Sequence, residues 1–100
     1  MVSRADREIA ELEGVFKALA HPARRHILIV VEAGGGRVSA GQIADRFAHS
    51  WPTTTRHLKL LADAGLLSIE AEGRERFYSL NKDLLFRVGR DWFENFEEEK

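Results

Sequence analysis

Ser39 to Leu67, SAGQIADRFAHSWPTTTRHLKLLADAGLL, carries the pattern of two short helices joined by a tight turn and followed by the start of a strand. Ser39 and Gln42 stand three apart just before Ile43, the spacing of a capping box. The first helix is expected from about Ala40 to Phe47, with Ile43, Ala44 and Phe47 on one face. Ala48, His49 and Ser50 form the turn, and Ser50 is a suitable N-cap for the next helix. Pro52 is tolerated there because first-turn N–H groups have no helical partner. That helix runs to Ala64, where Gly65 supplies a left-handed stop. Thr54, Leu58, Leu61 and Ala62 share its inner face, leaving Trp51, Thr53, Thr55, Arg56 and Lys59 outward. This outward set combines hydroxyls, a guanidinium, an ammonium and an aromatic, with no acid before Asp63. A helix-turn-helix that lays its second helix in the major groove of DNA needs such a surface.

The bulk properties allow this reading without demanding it. One hundred residues, 44% hydrophobic and 31% charged, suit one globular domain with a modest core, expected to span residues 1–100. The net charge of −1 gives no global nucleic-acid signal, but its distribution is uneven. Residues 21–64 carry six basic and three acidic side chains, whereas the segments on either side are net negative. The absence of cysteine excludes disulfides, thiol chemistry and cysteine-based zinc sites. No charged leader precedes an apolar run and no apolar run approaches membrane length, so a cytoplasmic protein without membrane contact is expected.

Before the central stretch, residues 3–19 form an amphipathic pattern, with Ile9, Leu12, Phe16 and Leu19 at helical spacing and Val15 beside them. His21-Pro22 ends it, and Pro22 opens a strongly apolar helix to about Ala33 through Ile27, Leu28, Val30 and Val31. Gly34-Gly35-Gly36 reads as a turn; the lysine and glycine spacing of a phosphate cradle is missing, and no cofactor is expected. After Gly65, residues 66–71 and 76–80 read as two strands with Glu72-Gly73-Arg74 at the hairpin tip. Arg74 and Arg76 are placed to reach a DNA backbone or minor groove. Asn81 opens a last helix, about residues 82–98, with Leu85, Val88, Trp92 and Phe96 on one face and Leu84 and Phe93 alongside. Glu97-Glu98-Glu99 is its acidic, fraying end. Two terminal helices with apolar stripes point to a homodimer interface made by Ile9, Leu12, Phe16, Leu85, Val88, Trp92, Phe93 and Phe96, with packing of the stripes within one chain as the competing reading.

In this order, FKALAHPARRHIL (residues 16–28), SAGQIADRF (39–47), SWPTTTRHLKLLADAGLL (50–67) and EGRERFYSL (72–80) resemble the ArsR-type winged helix-turn-helix transcriptional repressors. The resemblance implies a mostly α fold with a small β-wing, ordered α-α-α-α-β-β-α. It implies a homodimer that blocks a promoter by placing recognition helices in successive major grooves. Carried over residue by residue, the DNA contacts are Ser50, Trp51, Thr53, Thr55 and Arg56 on the recognition helix and Arg74 and Arg76 on the wing, with Lys59 on the outward face. Arg56 is the best placed for a guanine edge or a phosphate. His57, where the family often has histidine, is expected to pack. Trp51 stands where many members have glutamine or another small polar residue, and is expected to stack on a sugar or a thymine methyl. His21 replaces the family's frequent aspartate cap.

The family's metal-sensing routes find no counterpart in the residues. The helix before the turn has no cysteine, and no histidine follows His57 to join Asp83 and Asp91 on the last helix. Carboxylates alone make a poor transition-metal site, and His21, His26, His49 and His57 lack ligand spacing. The resemblance is therefore closer to members that are constitutive or answer to an organic ligand, a redox cue or a partner protein. An enzyme is not expected, because neither His26 nor Glu98-Glu99 belongs to a nucleophile or paired-carboxylate arrangement. The competing reading is a winged helix used only for protein–protein contact. The test between them is whether Arg25, Arg37, Arg46, Arg56, Lys59 and Arg74 gather on one face without interrupting acids.

Overall fold

The computed structural model describes residues 2–47 and 50–97. Five helices and three strands follow as α1 (Arg4–Leu19), α2 (Pro22–Ala33), β1 (Arg37–Ser39), α3 (Ala40–Ala44), α4 (Trp51–Asp63), β2 (Leu67–Glu72), β3 (Glu75–Leu80) and α5 (Lys82–Glu94). The chain is mostly helical, with a small antiparallel β-wing. His49, Glu98 and Glu99 lie outside the described residues, as does most of the expected turn between α3 and α4.

Local signals set the helix boundaries. Ser3 and Asp6 form a reciprocal capping box on α1, and Ser39 and Gln42 form the expected one on α3. His21 caps α2 through Nδ1, which accepts from the Ala23 N–H at 3.1 Å, so an imidazole nitrogen does the work of a carboxylate. Ser50 caps α4 and Asn81 caps α5. At the end of α4, Gly65 takes φ +84° and its N–H reaches the Ala62 carbonyl, while the Leu66 N–H reaches Leu61. These are the paired bonds of a Schellman motif, and they turn the chain from recognition helix into wing. Helix α2 ends in the same way: Gly35 takes φ +93°, its N–H reaches the Glu32 carbonyl and the Gly36 N–H reaches Val31. At the C-cap Gly34, a Cβ would lie 2.2 Å from Val38 Cγ1, so the residue there is one without a side chain.

Several expected boundaries are corrected. The sheet has three strands, in order β1-β3-β2, because Arg37–Ser39 pairs with Phe77–Ser79. Helix α3 ends at Ala44 and not Phe47: the Arg46 and Phe47 N–H groups bond three residues back, tightening the last turn. The wing tip has two residues, since Glu72 pairs with Glu75. Gly73 at φ +60° begins this turn with no other residue there at positive φ, as a type II′ hairpin requires. Helix α5 stops at Glu94, where Asn95 forms the C-cap.

The core is one cluster. Val15 and Ala18 of α1, Ile27, Leu28 and Val31 of α2, Ile43 of α3, and Leu58 and Leu61 of α4 meet Val38, Leu66, Leu67 and Tyr78 from the sheet side and Leu84 and Val88 of α5. Burying one such side chain contributes about 1.5–3 kcal/mol. Two ion pairs brace α5 on the surface: Lys82 Nζ with Glu32 at 2.6 Å and Arg87 Nη1 with Glu11 at 2.5 Å. The hydrogen bond and charge of Glu11 raise the Arg87 pKa above its ordinary value.

Candidate nucleic-acid interface

Helix α4 has a buried and an exposed face, with Thr53 and Thr55 less exposed than expected. Thr54 is 3% exposed despite its hydroxyl and is buried alongside Leu58 and Leu61 in the protein interior. Trp51, at the first helical position, is 46% exposed, and Arg56 and Lys59 are exposed further along. The first turn is internally satisfied: Ser50 Oγ donates to Thr53 Oγ1 at 3.0 Å and accepts the Thr53 N–H at 3.4 Å. Thr55 departs from the outward reading. Its Oγ1 is buried and has no hydrogen-bond partner, so the hydroxyl is turned in.

Charge separates along the wing because side chains alternate across strands. Arg37 lies over the Phe77 ring, 4.0 Å from its centroid, and pairs with Glu72 at 3.3 Å and Glu70 at 3.6 Å. This occupies Arg37 and two wing acids with one another. Arg25 donates to the Leu19 carbonyl at 2.7 Å, and Lys59 pairs with Asp63 one turn on at 3.1 Å. Acids therefore engage two of the six cations, Arg37 and Lys59. Among the described residues, Arg46, Arg56, Arg74 and Arg76 are exposed and in no ion pair.

Recognition helix and wing converge on an open groove. Trp51 lines it from α4, Arg74, Glu75 and Arg76 from the wing, and Ser39 and Gly41 from the start of α3. Thus the structure brings Trp51 together with Arg74 and Arg76, while Arg56 and Lys59 lie outside this groove. The role of β1 was not legible in the residues: by carrying Ser39 on the sheet, it sets the start of α3 against the wing.

The described histidines make local contacts. His57 of α4 stacks near His21, with ring centroids 4.6 Å apart, and its Nδ1 lies 3.5 Å from Arg24 Nη1. Arg24 also donates to the Ala18 and Lys17 carbonyls, tying the α1–α2 corner to the recognition helix. His26 meets the Phe47 ring edge-on. Among the described residues no three histidine, aspartate or glutamate side chains are grouped as metal ligands.

On the terminal helices, Phe16 packs edge-on against Trp92, and Trp92 against Phe96. Leu12, Phe16 and Leu85 are half-buried against the core, and Val88, 4% exposed, lies within it. Val88 therefore stands behind any interface and offers no surface to one. Ile9, Phe93 and Phe96 remain exposed, with Trp92 partly so. Among the described residues, no helix is long and apolar enough to cross a membrane.

Comparison with known proteins gives the same picture. A helix-turn-helix domain family matches residues 19–70. The transcriptional repressor SdpR of Bacillus subtilis (strain 168) is 38% identical over 85 residues, covering 85% of this chain and 91% of that one. The arsenical resistance operon repressor of Staphylococcus xylosus is 32% identical over 75 residues, covering 75% and 70%. Among solved structures, an ArsR family transcriptional regulator superposes with TM-score 0.76 at 26% identity over the whole of both chains. An ArsR-like transcriptional regulator from Rhodococcus sp. RHA1 superposes with TM-score 0.73 at 33% identity, covering 88% of this chain and 80% of that one.

Proposed function

Because the chain belongs to the ArsR-type winged helix-turn-helix regulators, a family of DNA-binding transcriptional regulators, we propose that it is a homodimeric repressor of an inverted-repeat operator. The observation that carries the proposal is the pairing, on α4 and the wing, of exposed cations that are in no ion pair among the described residues: Arg56 on α4, and Arg74 and Arg76 lining one groove with the exposed Trp51. A two-fold dimer would set two recognition helices about 34–36 Å apart, one turn of the duplex.

In this reading Arg56 contacts a base edge or a phosphate in the major groove. Ser50, Trp51, Thr53 and Lys59 hold the helix on the backbone, and Arg74 and Arg76 extend the contact beyond it. Thr55 contributes only after its hydroxyl turns out of the position it holds in the free protein. Ile9, Trp92, Phe93 and Phe96 join the subunits, with Leu12, Phe16, Leu85 and Val88 packed behind them. Residues 1–100 act as one domain working in the cytoplasm, without catalysis and without a resident cofactor.

The test is a salt titration of binding to duplex DNA from the gene's own upstream region, against a scrambled duplex. A specific complex whose affinity falls steeply with salt is expected, since each neutralised phosphate releases counterions. Failure to bind either duplex at low salt overturns the proposal and assigns the module to protein–protein contact.

A further inference from the structure

We propose that the groove between wing and recognition helix is a clamp for one sugar–phosphate segment, with the Trp51 indole against a deoxyribose and Arg74 and Arg76 on the adjoining phosphates. The clamp rests on the DNA-binding reading above and assigns Trp51 a role within it: positioning the protein on the strand and not reading a base.

Three observations carry this. First, Trp51 and the two arginines line the same groove, and neither arginine is in an ion pair among the described residues. An indole face matches the apolar edge of a sugar, and guanidinium forks match phosphate oxygens. Second, the opposite wall competes for neither. Ser39 N–H donates to Gln42 Oε1 at 2.8 Å and Ser39 Oγ accepts from the Gln42 N–H at 3.1 Å, so its polar groups are already satisfied. A Cβ at Gly41 would meet nothing closer than 3.9 Å, which leaves that wall low. Third, Trp51 and Arg56 are five residues apart, which separates them by about 140° around the helix. When Arg56 faces the floor of the major groove, Trp51 faces the flanking strand on the wing side. Glu75 also lines the groove and keeps its net charge at +1 with Arg74 and Arg76, which suits a short backbone segment better than a broad polyanion surface.

The experiment measures affinity for the upstream duplex with the full chain, with Trp51→Ala, Trp51→Phe, Arg74→Ala and the Trp51→Ala/Arg74→Ala pair. Each protein is tested on the natural duplex and on one carrying uracil in place of thymine. Trp51→Ala is expected to weaken both duplexes equally, by about tenfold, the scale of one good aromatic contact. Trp51→Phe should restore most of the loss, and the double variant should lose less than the product of the single losses. Thermal unfolding of Trp51→Ala should match the parent, because the side chain is largely outside the core.

Unchanged affinity of Trp51→Ala, with the parent binding normally, overturns the clamp and leaves the repressor reading intact. A Trp51→Ala loss confined to the thymine duplex also overturns it, by assigning Trp51 to a methyl group. Strict multiplicativity of the two single losses shows that Trp51 and Arg74 do not share one segment, with the same consequence. A parent chain that binds neither duplex removes the repressor reading itself, and the clamp with it.

Discussion

Arg56 and Thr55 are neighbours in sequence with opposite physical situations. The Arg56 guanidinium is exposed and in no ion pair among the described residues, so presenting it to DNA breaks no protein contact. Arg56→Ala is expected to cost about 1–3 kcal/mol of specific binding and to relax preference at one base position. Competition between operator and scrambled duplexes measures it, and an equal loss on both would reassign Arg56 to phosphate. Thr55, by contrast, holds a buried Oγ1 with no partner. Replacing such a group with an isosteric apolar one removes an unsatisfied polar atom. Thr55→Val should therefore leave the melting temperature unchanged or raise it. If the hydroxyl rotates outward to reach DNA, the same variant will lose affinity while keeping that stability. A clear drop in melting temperature would show instead that the hydroxyl has a stabilising partner in the free protein.

At the scale of elements, the wing and α4 are joined by the Schellman turn at Gly65, so the approach of one to DNA sets the approach of the other. Arg74 sits at the wing tip, at the second of the two turn residues, beyond the paired strands. Arg74→Ala should weaken operator and scrambled duplexes alike and lower the salt slope by about one unit. A loss on the operator alone would make the wing a reader of sequence. The elements differ in how plainly the residues announced them. The capping box at Ser39–Gln42, the cap at Ser50 and the stop at Gly65 are chemistry confined to a few adjacent residues, and all three occur in the structure. Strand β1 is three residues with Val38 as its single buried side chain, too short to show a period of two. Its existence depends on pairing with residues forty positions away. The same long-range placement creates the groove beside Trp51, which is why Trp51, Arg74 and Arg76 could each be singled out by residue type while their convergence on one groove could not. The Arg37–Glu70–Glu72 set depends on sheet register in the same way, and it removes from the basic surface a cation that composition counts toward it.

For the whole molecule, shape and exposed apolar surface lead to assembly. The chain measures 50 × 34 × 22 Å with a Cα radius of gyration of 15.2 Å, against about 13 Å for a compact chain of this length. The molecule is therefore elongated, and its terminal helices, which also supply core residues, carry exposed hydrophobics. Ile9 is 61% exposed and Phe93 69%, with Phe96 and part of Trp92 beside them. Large exposed apolar side chains gathered on two helices are normally covered by a partner, and a two-fold operator requires two copies of the reader. Trp92 also packs on Phe16 and Phe96 within one chain, so Trp92→Glu disturbs both the interface and local packing. Phe93→Glu separates the two effects, since Phe93 is the more exposed and lies outside the buried core cluster. Both variants should shift sedimentation from dimer toward monomer, and Phe93→Glu should do so while retaining native circular dichroism. Operator affinity should fall further than non-specific affinity, because a monomer keeps its phosphate contacts but engages only one half-site. A Phe93→Glu protein that sediments as the parent does, at concentrations where the parent is dimeric, would remove the terminal helices from the interface and require another surface to bring two recognition helices together.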